Sequence, residues 1–337
     1  MMMRKGLVVM ASLGLLAAGA AQGQNAAQPA ARSPAVQAHI DAAHFLNKDL
    51  PASLFPNLLS AMPNSGLPRN TNKSVAPFTK VFDQFYFIGL GSVGSWVLNT
   101  SDGIIQFDTL NNSDEAEHII MAGYKQLGLD PARVKYIVIS HGHADHYGGA
   151  RYLQDHMPNA KVVMSAVDYD LAERRASGPR ANGVAAPRRD LVATDGQKLT
   201  LGNTSVSLYI TPGHTPGTLS AIIPVTDNGA RHMIGFWGGT GFPATFAPTP
   251  DSGGLDAYKA SLIRFTKLAE DAGVDTPISN HSEIDGSWDK SHAIKTRKRG
   301  EPNPFVLGQS TYIRFMGVIY DFMQASAALA RDKSVTN

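Results

Sequence analysis

No cysteine occurs anywhere in the 337 residues. That absence excludes disulfide staples, a lipidated cysteine and thiolate metal ligands, so any metal site must be built from nitrogen and oxygen donors. Excess charge of one sign is also missing. Lys and Arg number 30 against 28 Asp and Glu, a net charge of +2 spread along the chain, which leaves no electrostatic footprint for nucleic acid. No internal repeat is visible, and no Gly-x-Ser-x-Gly turn offers a serine nucleophile. Small molecules are the expected partners, and a monomer is the expected state. Hydrophobic residues make up 43% of the chain, enough for a globular core.

Long apolar runs are confined to the start, "MMMRKGLVVMASLGLLAAGAAQGQ". Arg4 and Lys5 precede an apolar stretch from Leu7 to Ala18, and small residues follow at Ala21 to Gly23. This is the pattern of a secretory signal peptide (1–23) cleaved after Gly23. The apolar core is too short to span a bilayer comfortably, which disfavours an anchor. A periplasmic or secreted protein with no membrane attachment after cleavage is expected. Residues 24–79 read as an N-terminal extension. Its Ala/Gln/Asn-rich leader ends at Ser33-Pro34, an N-cap and first-turn proline, and Val36, Ile40, His44 and Phe45 then recur at helical spacing.

From residue 80 to 337 the pattern is that of one domain. Short β-rich runs around Phe85, Phe87, Trp96 and Val97, then Ile104 to Phe107, predict a meander ending at Asp108. Asn112-Ser113 with Glu115 opens a helix that Gly128 stops. Val134 to Ser140 reads as a buried strand, and further strands are expected at 161–165, 206–210, 219–224 and 232–237. Helices are expected at 147–156, 166–174, 256–272 and 308–331, and residues 176–190 read as a mobile loop. The fold class is α/β, sheets covered by helices.

The chemistry concentrates in "SHGHADHYGGA", residues 140–150, where His141, His143, Asp145 and His146 fall within six positions after a strand. Near-extended backbone sends His141 and His143 to one side, while Asp145 and His146 diverge as the chain turns into a helix. Two divergent sets suit two metal ions better than one. Histidine and carboxylate donors suit zinc, and a catalytic zinc keeps one position open. His214 in "YITPGHTPGT" and His281 in "TPISNHSEI" also follow apolar runs and are further candidate ligands.

"HGHADH" with the later "GHTPG" and "SNH" resembles the metallo-β-lactamase superfamily, and the histidine directly after the aspartate is similar to the third subclass of class B β-lactamases. The resemblance implies a four-layered αβ/βα sandwich (metallo-β-lactamase fold) with the site at one edge. It implies that His141, His143 and His214 bind a first zinc and Asp145, His146 and His281 a second. Asp108 would orient ligands from below. By the same resemblance a hydroxide between two zinc ions attacks a carbonyl, with Asp145, the catalytic residue, orienting it; the product is an opened β-lactam ring. Many relatives acting on esters carry an aspartate that bridges both metals; here Gly238, Gly239 and Thr240 occupy that stretch. The resemblance also implies serines near Gly239 and Gly241 for substrate carboxylate, where this chain offers only the Thr240 hydroxyl. Trp237 and Phe242 are candidates for an apolar wall, and Arg174, Arg175, Arg180, Arg188 and Arg189 for a cationic contact. A di-zinc hydrolase of another cyclic amide, lactone or ester, and a non-catalytic metal-binding protein, are the alternatives.

Overall fold

The computed structural model describes residues 32–48, 50–51, 54, 72–178, 183–243 and 245–336. The expected signal peptide and the leader up to residue 31 lie outside them. Two sheets form the centre. The first runs β1 (Thr79–Lys80), β2 (Phe85–Gly89), β3 (Gly94–Thr100), β4 (Gly103–Phe107), β5 (Val134–Val138), β6 (Lys161–Met164) and β7 (Leu191–Val192), in that spatial order. Its first four strands are antiparallel, and pairing from β4 to β7 is parallel. The second sheet contains β8 (Lys198–Leu201), β9 (Thr204–Ile210), β10 (Leu219–Asp227), β11 (Ala230–Trp237) and β12 (Thr276–Ser279), ordered β12-β11-β10-β9-β8. Only β11 and β12 are parallel there.

Alternation along the strands explains the layers. Phe87, Trp96, Leu98, Ile105 and Phe107 meet Leu208, Ala221, Ile223, Ile234 and Phe236 between the sheets. The outer face of the first sheet, Val97, Ile104 and Ile137, packs on Ile120, Tyr124 and Leu153 from covering helices. The outer face of the second, Ile222 and Trp237, packs on Tyr258 and Phe265 of the helix Leu255–Asp271 and on Tyr312 of the helix Gln309–Thr336. Helices therefore cover both outer faces of a sheet pair, the expected four-layered sandwich.

Local chemistry fixes the register that matters for the site. Asn228 (φ 51°) and Gly229 (φ 85°) form a two-residue turn between the paired Asp227 and Ala230. Both central residues have the positive φ that a twisted hairpin requires, which Asn-Gly supplies at low cost. Six paired positions later, Ala221 faces Phe236, so β11 ends beside the start of β10. The C-terminal ends of β4, β5, β11 and β12 converge on one edge.

The helix expected in the N-terminal extension belongs to the same compact unit as the sandwich, a unit that begins at Arg32. The helix Pro34–Asn47, capped by Ser33, buries Val36, Ile40 and Ala43 in the core of the C-terminal helix. Burying Val and Ile is worth roughly 1.5–3 kcal/mol each, so this helix is an integral layer. The 176–190 stretch is not free in its described second half. Gln154 bonds the backbone of Arg188 through both amide ends (2.8 and 2.9 Å), Arg151 bonds Ala186 O, and Arg188 and Arg189 pair with Asp155 and Asp170. Among the described residues no helix is long and apolar enough to cross a membrane.

Candidate metal centre

β4 and β5 end side by side, and the first turn beyond them is held by one carboxylate. Asp108 adopts φ 54°, uncommon for a residue with a side chain, while its N–H bonds Val138 O at 2.9 Å. This conformation turns its carboxylate across to the next strand. Oδ1 accepts from Ser140 N (2.7 Å), and Oδ2 accepts from Ser140 Oγ (2.7 Å) and His146 Nδ1 (2.9 Å). The loop after β5 then presents His141 and His143, and His143 caps a four-residue helix, Ala144–Tyr147, that carries Asp145 and His146. His214 comes from the loop between β9 and β10. His281 follows β12 and precedes the short helix Ser282–Asp285.

The ring nitrogens form a consistent pattern. His141 Nδ1 donates to Gly238 O (2.9 Å), His214 Nδ1 to Gly241 O (2.8 Å), His146 Nδ1 to Asp108, and His281 Nδ1 to Ser92 O (3.1 Å). Since a carbonyl or carboxylate can only accept, each of these rings has its proton on Nδ1 and a lone pair on Nε2 when neutral. Those lone pairs face one another. His214 Nε2 lies 3.1 Å from His141 Nε2 and 3.0 Å from His143 Nδ1. His146 Nε2 is buried without a hydrogen bond, although Asp145 Oδ2 lies 3.4 Å away. Asp145 Oδ2 is also 3.8 Å from His281 Nε2.

A cation resolves this arrangement. Zinc–nitrogen bonds of about 2.0–2.1 Å in tetrahedral geometry bring donor atoms to roughly the spacing seen here. The donors of His141, His143 and His214 lie within 4.8 Å of one another, as do those of His141, Asp145 and His146. Burial, reinforced by neighbouring imidazoles, pushes His141 and His143 well below the ordinary histidine range and His214 down to about 4. These three are neutral, the form that ligates. For His146, burial opposes the charge, but the Asp145 and Asp108 carboxylates outweigh it and push it up to about 10. Burial likewise opposes ionisation of Asp145, yet the His146 charge holds its carboxyl well below the usual range.

All six expected ligands and Asp108 are thus brought to one edge of the sandwich. The three candidate substrate contacts are all buried. Trp237 is fully buried against Tyr258 and Phe265, with its Nε1 bonded to Gly239 O. Phe242 is buried in the same core, and the buried Thr240 donates its hydroxyl to Asn280 Oδ1. Trp237 and Phe242 pack toward the covering helices, whereas Thr240 faces the loop of Asn280. Of the arginines, Arg180 lies outside the described residues, and Arg174 and Arg175 pair with Asp251. The Arg175 charge is still felt at His143.

Two residues not foreseen from sequence support the cluster. Buried Asn280 donates to Ser140 Oγ (3.0 Å) and Gly238 O (2.9 Å), tying the third loop to the first. Asp168 joins the loops of His141 and His214. Its sequence signal, Ser165 three residues earlier, is that of a helix cap.

Residues 88–227 match the family model of the metallo-beta-lactamase superfamily. Among curated proteins, the chain is 30% identical to glyoxylase B2 of Dictyostelium discoideum over 129 residues, covering 36% of this chain and 42% of that protein. It is 27% identical to an N-acyl homoserine lactonase of Azorhizobium caulinodans over 189 residues, covering 51% and 67%. The chain therefore spans between about two fifths and two thirds of these relatives' length. Among solved structures, a metallo-beta-lactamase of Cronobacter sakazakii with a HARLDQ motif is 25% identical, with a TM-score of 0.61 over 78% of this chain and 96% of that one. A subclass B3 metallo-beta-lactamase of Bradyrhizobium japonicum shares the fold at 24% identity, with a TM-score of 0.59 over 78% and 94%. The match over residues 88–227 and the likeness to these solved structures give the chain a metallo-beta-lactamase domain match and the metallo-β-lactamase fold.

Proposed function

We propose that the chain is an exported hydrolase of the metallo-β-lactamase superfamily that holds two zinc ions and opens the amide ring of β-lactams. His141, His143 and His214 would hold one ion, and Asp145, His146 and His281 the other. When bound, zinc supplies an activated water and a Lewis acid for the substrate carbonyl. The chain's own residues do the rest. Gly238 O, Gly241 O, Asp108 and Ser92 O fix four imidazoles with Nε2 inward. Asp145 keeps 38% of its side chain exposed, so its ionised carboxylate faces the open end and would orient a water there by accepting a hydrogen bond. The first 23 residues support export to the periplasm or beyond.

The observation that carries the choice of substrate is the backbone after β11. A Cβ at Gly238 would sit 1.9 Å from Leu219 O, and one at Gly241 would sit 2.6 Å from His214 Cε1. No acidic side chain fits at either position without moving the backbone or a ligand, which disfavours ester hydrolysis through a bridging carboxylate. The Cronobacter and Bradyrhizobium likenesses support the same reading. The Azorhizobium lactonase likeness favours a second one, hydrolysis of a lactone at the same site.

The deciding experiment assays the zinc-loaded mature protein on a chromogenic cephalosporin, a penicillin, a carbapenem and an acyl homoserine lactone, with and without chelator. Chelator-sensitive turnover of a β-lactam in excess of the lactone is expected. Lactone turnover alone replaces the first reading with the second.

A further inference from the structure

Asp168 lies at the start of the helix Ala166–Ser177, where its N–H bonds the capping Ser165 Oγ. Its side chain is fully buried and touches none of the six candidate ligands. Oδ2 accepts from Gly142 N (2.9 Å) and Thr215 Oγ1 (2.6 Å), and Oδ1 accepts from Gly217 N (2.8 Å). Gly142 stands between His141 and His143, and Thr215 follows His214. One carboxylate therefore spans the two loops, one from each sheet, that carry the three-histidine group.

This placement asks for an explanation. A buried carboxylate is costly to desolvate, and a helix cap needs only the serine already present. The three donors aimed at Asp168 make charge-assisted bonds, stronger and more directional than neutral ones, and the helix N-terminus adds a favourable field. Bonding Gly142 N fixes the peptide plane between two imidazoles. Thr215 is held in turn by Thr218, whose Oγ1 is 2.7 Å from Thr215 Oγ1 and accepts from Thr215 N at 3.1 Å. The loop bearing His214 thus has few ways to shift independently of the loop bearing His141 and His143.

We propose that Asp168 is a positioning residue that sets the mutual spacing of His141, His143 and His214, and through it the metal affinity of that group in particular. The proposal rests on the reading that the histidine cluster holds metal. It acts on one half of the cluster: in the other half His146 is oriented by Asp108 and His281 by Ser92 O.

The test is cobalt titration of the chelator-stripped full-length mature protein against a competing chromophoric chelator, following two binding steps by their absorption spectra. Asp168→Asn is expected to weaken the three-histidine step by about 10- to 100-fold, as loss of a ligand-orienting partner does. The other step should stay within about twofold, and Thr215→Val should weaken the first step less. Equal weakening of both steps, or none, overturns the proposal, because a merely structural role would not discriminate between them. If Asp168→Asn fails to fold, Thr215→Val decides alone, and an unchanged first step refutes the idea. A wild-type protein that takes up no cobalt overturns the metal reading and this proposal with it, an outcome distinct from an unaltered Asp168→Asn titration in a protein that binds cobalt.

Discussion

Two loops face each other across the metal centre and contribute in opposite ways. The loop after β5 packs four donor side chains into six residues. The loop after β11, Gly238 to Gly241, puts no donor side chain on the cluster and works through its carbonyls: Gly238 O receives His141 and Asn280, and Gly241 O receives His214. Even Gly239 O is engaged, by Tyr258 OH (2.6 Å) and Trp237 Nε1 (2.8 Å). One loop supplies four of the six candidate ligands, and the other supplies the acceptors that place the proton of His141 and His214 on Nδ1. Such outer partners tune a metal site nearly as much as the ligands do.

The sharpest way to break this division is on the ligand side. His143→Ala removes one of three inward nitrogens, and His143 is the ligand whose other nitrogen has no hydrogen-bond partner among the described residues. Affinity at the three-histidine group should fall by more than about a hundredfold, since losing an outer partner alone costs 10–100-fold. Hydrolysis should fall with it, and an unchanged rate in a zinc-supplemented assay would refute the assignment.

On the acceptor side, two serine substitutions separate backbone from side chain. At Gly241 a Cβ would lie 2.6 Å from His214 Cε1, whereas at Gly239 the nearest contacts are 3.1 Å, to His214 Cβ and Thr218 Cγ2. Gly241→Ser should force the imidazole aside, an overpacking cost of roughly 1–3 kcal/mol that appears as weaker metal binding. Gly239→Ser should be milder. Should the two variants bind zinc equally well, the loop does not set the position of His214 through close approach.

How much of this division the sequence displayed follows from distance along the chain. The donor loop is legible because His141, His143, Asp145 and His146 are contiguous. His214 and His281 became ligand candidates only as completions of that set, and Asp108 only by resemblance. The supporting bonds were hidden: Asn280 reaches Ser140 across 140 positions and Asp168 reaches Gly217 across 49. The period of the run ending at Trp237 does not show that helices cover the Trp237 side, so the sequence left Trp237 between an apolar wall and the core in which it is buried. The strands β1 and β7 have two residues each, too short to display a period, and the polar helix Ser287–Thr296 presents no apolar stripe. The start of the helix Pro34–Asn47 was plain at Ser33-Pro34, whereas its partner lies at the other end of the chain.

The smallest expected effect concerns a buried pair behind the His281 loop, where charge is confined without a metal to use it. The Asp285 carboxylate accepts from Ser279 N (2.7 Å), Ser287 N (2.8 Å) and Ser287 Oγ. Lys290 is 4% exposed, its Nζ has no hydrogen-bond partner among the described residues, and it stands 5.4 Å over the Phe305 ring. Burial pushes Asp285 from 3.8 up to about 6, against the opposing pull of Lys290, and pushes Lys290 from 10.5 down to about 8. The folded state thus favours the neutral form of each. For Asp285 the stabilising contribution is complete below 3.8 and is lost as pH rises through about 6. For Lys290 it is complete above 10.5 and is lost as pH falls through about 8. Between those values both groups are charged and both desolvation costs are borne, so the pair is least favourable near neutrality, the reverse of what a surface ion pair would do. Replacing both partners, Asp285→Asn with Lys290→Met, should gain on the order of 1 kcal/mol at pH 7 relative to pH 4, because exchanging a buried pair for well-packed neutral groups is often neutral or stabilising. Urea midpoints from pH 4 to 9 supply the measurement, and curves that run parallel for wild type and double variant would show that burial does not dominate this pair.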